Sequence, residues 1–125
     1  MMRIPADWYV PLVELLSKLY GEEVHYTPGL VNSGLFYNDH LDLYIRVTPG
    51  HRLTIARIDV GYHHMRKGIG SAILDWCLSY CRMNRIPEIC MESVLTEECR
   101  SFCIKKGFTL RYPNDDLCFD WVLQV

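Results

Sequence analysis

The sequence predicts an α/β domain of the α+β kind: a mixed, mostly antiparallel twisted sheet with helices packed on it. Three observations carry that expectation. The second half reads strand, helix, strand, helix, an alternation that calls for parallel pairing. The first half reads as one helix followed by short β-type runs separated by turn residues, which suits antiparallel pairing. With 125 residues, half of them hydrophobic, the chain forms a single domain, residues 1–125, whose core is adequate without staples.

Taken in order, Asp7 is placed to cap a helix from Trp8 to Tyr20, with Leu12, Leu15, Leu16 and Leu19 on one face and Gly21 ending it. Pro11 falls in its first turn, where proline is tolerated. Val24–Thr27 reads as a strand closed by Pro28-Gly29. Gly34–Asn38 and Leu41–Thr48 read as two more, joined by an Asn38-Asp39-His40 turn, and Pro49-Gly50 leads into Leu53–Val60. Ile69 to about Met83 is a helix whose apolar surface is Ile69, Ile73, Trp76, Leu78 and Tyr80. Glu88–Val94 is a strand. Thr96 opens a second helix, bearing Cys99, Phe102 and Cys103, that ends at Lys105-Lys106-Gly107. Phe108–Tyr112 and Leu117–Val125, divided by Pro113-Asn114-Asp115-Asp116, form a closing antiparallel hairpin.

One strand is irregular. In Leu53–Val60 the large apolar residues sit at odd positions (Leu53, Ile55) and then at even ones (Ile58, Val60). Strands alternate faces with period two, so the phase change predicts one extra residue, a β-bulge, near Ala56-Arg57. Burial on both faces would produce the same pattern without a bulge.

Thirteen Lys+Arg against fifteen Asp+Glu give a formal charge of −2, which argues against broad nucleic-acid binding but leaves room for a locally positive pocket. No apolar run approaches the roughly 18 residues of a membrane span. The N-terminal segment carries Asp7, Pro11 and Glu14 within its apolar part and lacks a small-residue cleavage site, so it does not read as an export signal. The six cysteines include two pairs at helical spacing, Cys77/Cys81 and Cys99/Cys103, rather than the closer spacings of zinc sites. They read as reduced, mostly buried thiols of a cytoplasmic protein, and no metal site is expected; His63-His64 has no carboxylate or thiol pattern beside it.

The candidate site is the segment His63–Leu74, HHMRKGIGSAIL. Basic residues precede Gly68-x-Gly70, and the glycines open a helix. Glycines let the backbone come close to a ligand, and a helix start offers unpaired N–H groups with the positive end of the dipole: an anion site, most often for phosphate. A Walker loop is excluded, because Lys67 precedes Gly68 and no lysine follows the second glycine. A Rossmann turn is disfavoured: Ile73 stands where its third glycine belongs, and about seven residues separate the strand from Gly68.

The segment VGYHHMRKGIGSAIL resembles the acetyl-CoA-binding motif R/Q-x-x-G-x-G/A of the GNAT superfamily of N-acetyltransferases. Farther on, Cys103-Ile104-Lys105-Lys106-Gly107-Phe108 stands at the place of the family's Tyr-x-x-x-Gly-Phe, preceded by Phe102. The resemblance covers about residues 53–112, in the right order and spacing. It implies a GNAT-like sheet and an N-acetyltransferase that moves an acetyl group from acetyl-CoA to a small-molecule or protein amine by direct attack. The alternative is a catalytically silent coenzyme A-binding or regulatory module. In the family's terms, the N–H groups of Arg66, Lys67, Gly68, Ile69, Gly70 and Ser71 hold the pyrophosphate. The backbone of Ile58, Asp59 and Val60 lines the pantetheine arm, which enters a splay between this strand and Glu88–Val94. A backbone N–H near Val60 polarises the acetyl carbonyl.

Two positions depart from the family pattern. Met65 stands where Arg or Gln is usual, with Arg66 one place late. Cys103 replaces the tyrosine that serves as general acid to the leaving thiolate; a thiol, with an ordinary pKa of about 8.5, is chemically able to donate. Tyr62 and Tyr112 are alternative donors. Asp59 and Glu92 are the candidate bases, and strand phase leaves open which of them faces the acceptor. Thr96 stands where the family often has Asn reaching toward the cofactor, and it reads here as a helix N-cap. The partners expected are acetyl-CoA and an amine, without nucleic acid or membrane, and the last strand offers an edge for a homodimer.

Overall fold

The structure is a computed structural model and describes residues 4–125; the first three residues of the segment read above for an export signal lie outside it. Among the described residues are three α-helices, α1 (Val10–Tyr20), α2 (Ile69–Met83) and α3 (Glu97–Lys105), and seven strands in one sheet. The strands are β1 (His25–Pro28), β2 (Ser33–Tyr37), β3 (Asp42–Thr48), β4 (Arg52–Asp59), β5 (Glu88–Met91), β6 (Thr109–Leu110) and β7 (Trp121–Gln124), in spatial order β1-β2-β3-β4-β5-β7-β6. Only β4 and β5 pair in parallel, across the α2 crossover. Every other pair is antiparallel, β6 and β7 included. The expected mixed, mostly antiparallel architecture is therefore what forms.

Helix α1 begins two residues later than expected. Its N-cap is Tyr9, and Asp7 contributes its backbone carbonyl to the Val10 N–H at 3.0 Å rather than a side-chain cap. The late start has a steric reason: it places Pro11 at the second helical position, where no earlier carbonyl meets its ring. The buried stripe is Leu12, Leu16 and Tyr20, an i, i+4, i+8 row, while Leu19 is exposed. On α2 the fully enclosed residues are Ile69, Ile73, Leu74, Cys77 and Cys81; Trp76, Leu78 and Tyr80 pack only partly against the core. The six cysteines are free.

Register sorts the sheet into two unlike faces. Phe36 opposes Leu43, Ile45 opposes Ile55, Val47 opposes Leu53, and Leu53 and Ile55 align with Ile89 and Met91, the latter opposite Trp121. This face carries the core and the helices. The Trp8 ring, just ahead of α1, lies 6.0 Å from Phe36, and Cys103 of α3 meets Met91. Helix α2 sits between them, with Tyr80 6.2 Å from Trp8 and Gly70 against Phe102 of α3. Each fully buried leucine here contributes about 1.5–3 kcal/mol. The opposite face is polar and laced by ion pairs: Arg52–Glu88 at 2.8 Å, Arg46–Glu92 at 2.9 Å and Arg57–Asp42 at 3.1 Å. A mostly antiparallel sheet can leave one face to water in this way.

Candidate functional site

The bulge is present. Tyr44 opposes Arg57 and Ile45 opposes Ile55, so Ala56 is the extra residue on β4. Beyond it Ile58 returns to the packed side opposite Leu43, while Arg57 and Asp59 point to the polar side.

At the same level β5 leaves the ladder. Its pairing with β4 ends at Ile55↔Met91, followed by one last bond from the Glu92 N–H to the Ile55 carbonyl at 3.1 Å. The strand expected to continue to Val94 thus stops at Met91. The reason lies in its neighbours. Ser93 takes a left-handed φ of 53°, and its N–H bonds Asp120 Oδ1 at 3.0 Å; the Val94 N–H bonds the Phe119 carbonyl at 2.9 Å. These ties draw the chain toward β7. From Ala56 to Asp59, β4 has a partner strand on its β3 side alone, and its unpaired edge, facing the segment after Glu92, is the candidate slot. Within that slot the Val60 N–H has no acceptor among the described residues, and the Val60 carbonyl receives the Tyr20 hydroxyl at 2.8 Å. Burial and the nearby Asp59 carboxylate push the Tyr20 phenol up to about 12, so it remains a donor.

The slot leads to the start of α2. The helix N-cap is Gly68, at φ 81° and ψ 6°, with no side chain over the first-turn N–H groups of Ile69, Gly70 and Ser71. Arg66, two residues earlier, also has positive φ, 63°. Left-handed residues so placed turn successive N–H groups into one concavity, the geometry of an anion nest. No acceptor among the described residues takes the N–H of Arg66, Lys67 or Gly68. The two glycines have different reasons to be there. Gly68 meets a backbone requirement, since a Cβ would face open space, whereas a Cβ on Gly70 would come to 3.4 Å from the Phe102 ring. Lys106 Nζ lies over that ring, 5.8 Å from its centre. A donor set of main-chain amides at a helix N-terminus fits a diphosphate, and a half-paired strand fits an extended amide arm.

The remaining sequence candidates scatter. Asp59 is exposed at the mouth of the slot, where its Oδ1 accepts the Gly61 N–H at 2.9 Å. Glu92 stands at the slot's floor in its ion pair with Arg46. Cys103 lies elsewhere: it is fully buried, and its Sγ donates to Met91 Sδ at 3.5 Å. A hydrogen bond with Cys99, together with burial, pushes its thiol up from the ordinary value. Thr96 is the N-cap of α3, its Oγ1 accepting the Cys99 N–H at 3.2 Å. Tyr62 and Tyr112 are both exposed. His64 packs 4.8 Å from Tyr20 and 4.6 Å from His40. Sequence reasoning missed Tyr20 and Arg46; the first was legible as the next member of the Leu12–Leu16 row, while nothing local marked the second.

A bulged strand, a parting neighbour and a glycine nest at the start of the following helix define a class, and the chain has the fold of the GNAT acetyltransferases. No protein-family model and no curated protein matches the sequence. Solved structures do. PaiA N-acetyltransferase from Thermoplasma acidophilum, in complex with coenzyme A, superposes with a TM-score of 0.60 at 14% identity, over 92% of this chain and 69% of that one. Ard1 from Thermoplasma volcanium gives 0.56 at 18% identity, over 92% and 78%. A GNAT family acetyltransferase from Elizabethkingia anophelis with acetyl-CoA bound gives 0.52 at 14% identity, over 99% and 92%. No helix among the described residues is long and apolar enough to cross a membrane.

Proposed function

We propose that the protein is an acetyl-CoA-dependent N-acetyltransferase of the cytoplasm acting on a small-molecule or protein amine. The observation that carries this reading is the continuous path from the nest at Arg66–Ser71, along the half-paired edge of β4, to the floor at Ile55–Glu92. The nest takes the diphosphate, and residues 58–60 take the pantetheine amides as an added strand would. The floor stops the acyl end beside the bulge, a few residues below Val60. A neutral amine attacks there: the C–N bond forms, the C–S bond breaks, and the nitrogen's proton passes to a carboxylate or water and then to the departing thiolate. Because main-chain groups supply the grip, Met65 in place of Arg or Gln weakens coenzyme binding without abolishing it. With Cys103 in the core, protonation of the thiolate falls to solvent.

The burial of Cys103 also favours a second reading, a module that holds coenzyme A and transfers nothing. Calorimetric titration with acetyl-CoA, followed by thiol release in the presence of alkylamines, amino acids and short peptides, separates the two. Binding with thiol release supports the enzyme, and binding with no release from any amine supports the module. Absence of binding defeats both. Ligand at a hundredfold its Kd should stabilise the fold by about 2.7 kcal/mol, which a thermal scan reads directly.

A further inference from the structure

We infer that Arg46 is a positioning residue for the transfer: its guanidinium holds Glu92 over the slot's floor, on the polar face of the sheet, as the carboxylate that takes the proton from the incoming amine. The inference rests on the transfer reading above and adds to it a direction of approach and a base.

The direction follows from the two faces. On the packed side the slot is backed by Ile58, by buried Ile69 and by the Phe102 ring that touches Gly70, so an acceptor has no entry there. The polar side carries no helix among the described residues; Thr54 and Cys90 are buried there, but the side chains of Arg46 and Glu92 reach solvent.

The base follows from what stands on that side at the floor. Glu92 is fixed at its backbone by the last bond to Ile55, and alternation puts its side chain on the side of Cys90 and of Thr54, the register partner of Arg46. Strand β4 lies between β3 and β5, so the Arg46–Glu92 pair reaches across it, one step below the bulge. Arg46 Nη2 engages Oε2 at 2.9 Å, while Oε1 has no protein partner among the described residues and is free to accept a proton. The other carboxylates nearby also use one oxygen each, but none is held by a cation at the floor: Asp120 accepts the Ser93 N–H, Asp42 pairs with Arg57, and Asp59 accepts the Gly61 N–H at the far end of the slot. The side chains of Arg46 and Glu92 are 46% and 32% exposed, so the pair adds little stability and its contribution is orientation. The proton balance is complete: Glu92 Oε1 takes the proton from nitrogen as the C–N bond forms, and returns it through water to the thiolate released when the C–S bond breaks.

The test compares Glu92→Gln, Arg46→Met, Arg46→Lys and the charge swap Arg46→Glu/Glu92→Arg. Each is assayed with acetyl-CoA and the amine the wild type uses best, and melting temperature is recorded for each. Glu92→Gln should lower kcat by about 100-fold or more. Arg46→Met should lower kcat by about 10- to 100-fold with the KM for acetyl-CoA unchanged, and Arg46→Lys should recover most of it. The swap should restore the melting temperature while remaining as slow as Glu92→Gln, because the carboxylate then sits on β3. Wild-type turnover by the swap would make the pair purely structural and overturn the inference. So would wild-type turnover by Arg46→Met, or a loss confined to the KM for acetyl-CoA. A wild type that binds acetyl-CoA yet acetylates nothing defeats the transfer reading instead, and the inference falls with it.

Discussion

Replacing Gly68 by alanine isolates the backbone of the nest from every side-chain effect. A Cβ at Gly68 would meet nothing within 4 Å, so the cost is conformational: an L-residue held at φ 81° loses about 1–2 kcal/mol. For a domain of this size that corresponds to a melting temperature lower by roughly 3–8 °C. Gly50 provides a matched control. It sits at φ 71° in the turn between β3 and β4, at the other end of the sheet, and a Cβ there also meets nothing within 4 Å. Gly50→Ala and Gly68→Ala should therefore melt alike. Their affinities for acetyl-CoA should not match. Relaxation away from the left-handed region turns an N–H out of the nest, and one hydrogen bond to a charged group, about 1.5–3 kcal/mol, is a Kd weaker by about 10- to 150-fold. Calorimetric titration of the two variants reads the difference. Unchanged affinity in Gly68→Ala, alongside the expected drop in melting temperature, would show that the diphosphate does not sit on these amides.

Cys103→Ala should cost about 1 kcal/mol in urea denaturation, for the packing lost against Met91. It should keep thiol release within threefold of wild type; a loss of tenfold or more would put the thiol back into the chemistry. Gly34→Ala should destabilise by about 1–3 kcal/mol, because its Cβ would land in the Tyr26 ring, which a stacked Tyr9 only 3.6 Å away prevents from yielding. A variant as stable as wild type would mean that the aromatic pair is loose. His64 is held below its ordinary pKa of 6.5 by desolvation and by the neighbouring His40 and Lys67. The unfolded chain then takes up that proton first, so stability falls as pH drops below about 6.5, and above that pH the group contributes no slope. His64→Gln should flatten this acid limb of the urea midpoint, and an unaltered limb would exclude the effect.

Much of this was legible in the sequence because the informative residues act locally. The phase change between Ile55 and Ile58 pointed to the bulge, and the pairing register with β3 was needed to separate it from a strand buried on both faces, because both keep large apolar residues at those positions. The glycines announced the nest, and Thr96 with its downstream N–H announced a cap. The errors arose where distant partners decide. Val94 has a strand-like side chain, yet its N–H is claimed by Phe119, twenty-five positions away. Asp7 looked like a cap until Pro11 set the helix start. The Arg46–Glu92 ion pair was invisible for the same reason: its members meet across an intervening strand.

The slot itself has two independent causes, and they explain why the motif's departures need not abolish it. The bulge belongs to β4 and is written in its own residues; the ties from Ser93 and Val94 belong to the segment after β5 and depend on β7. A bulge without the ties would leave the chain after Met91 free to follow β4 and keep its edge covered. The ties without the bulge would peel β5 from a strand whose apolar phase still ran straight. Together they expose main-chain groups that no substitution at position 65 or 103 alters, and those groups face the nest that Gly68 opens. On the reading proposed above, the grip on the coenzyme rests on backbone geometry at residues 56–71, and the chemistry rests on the carboxylate at the far end of that edge. Arg46 and Glu92 are the side chains there.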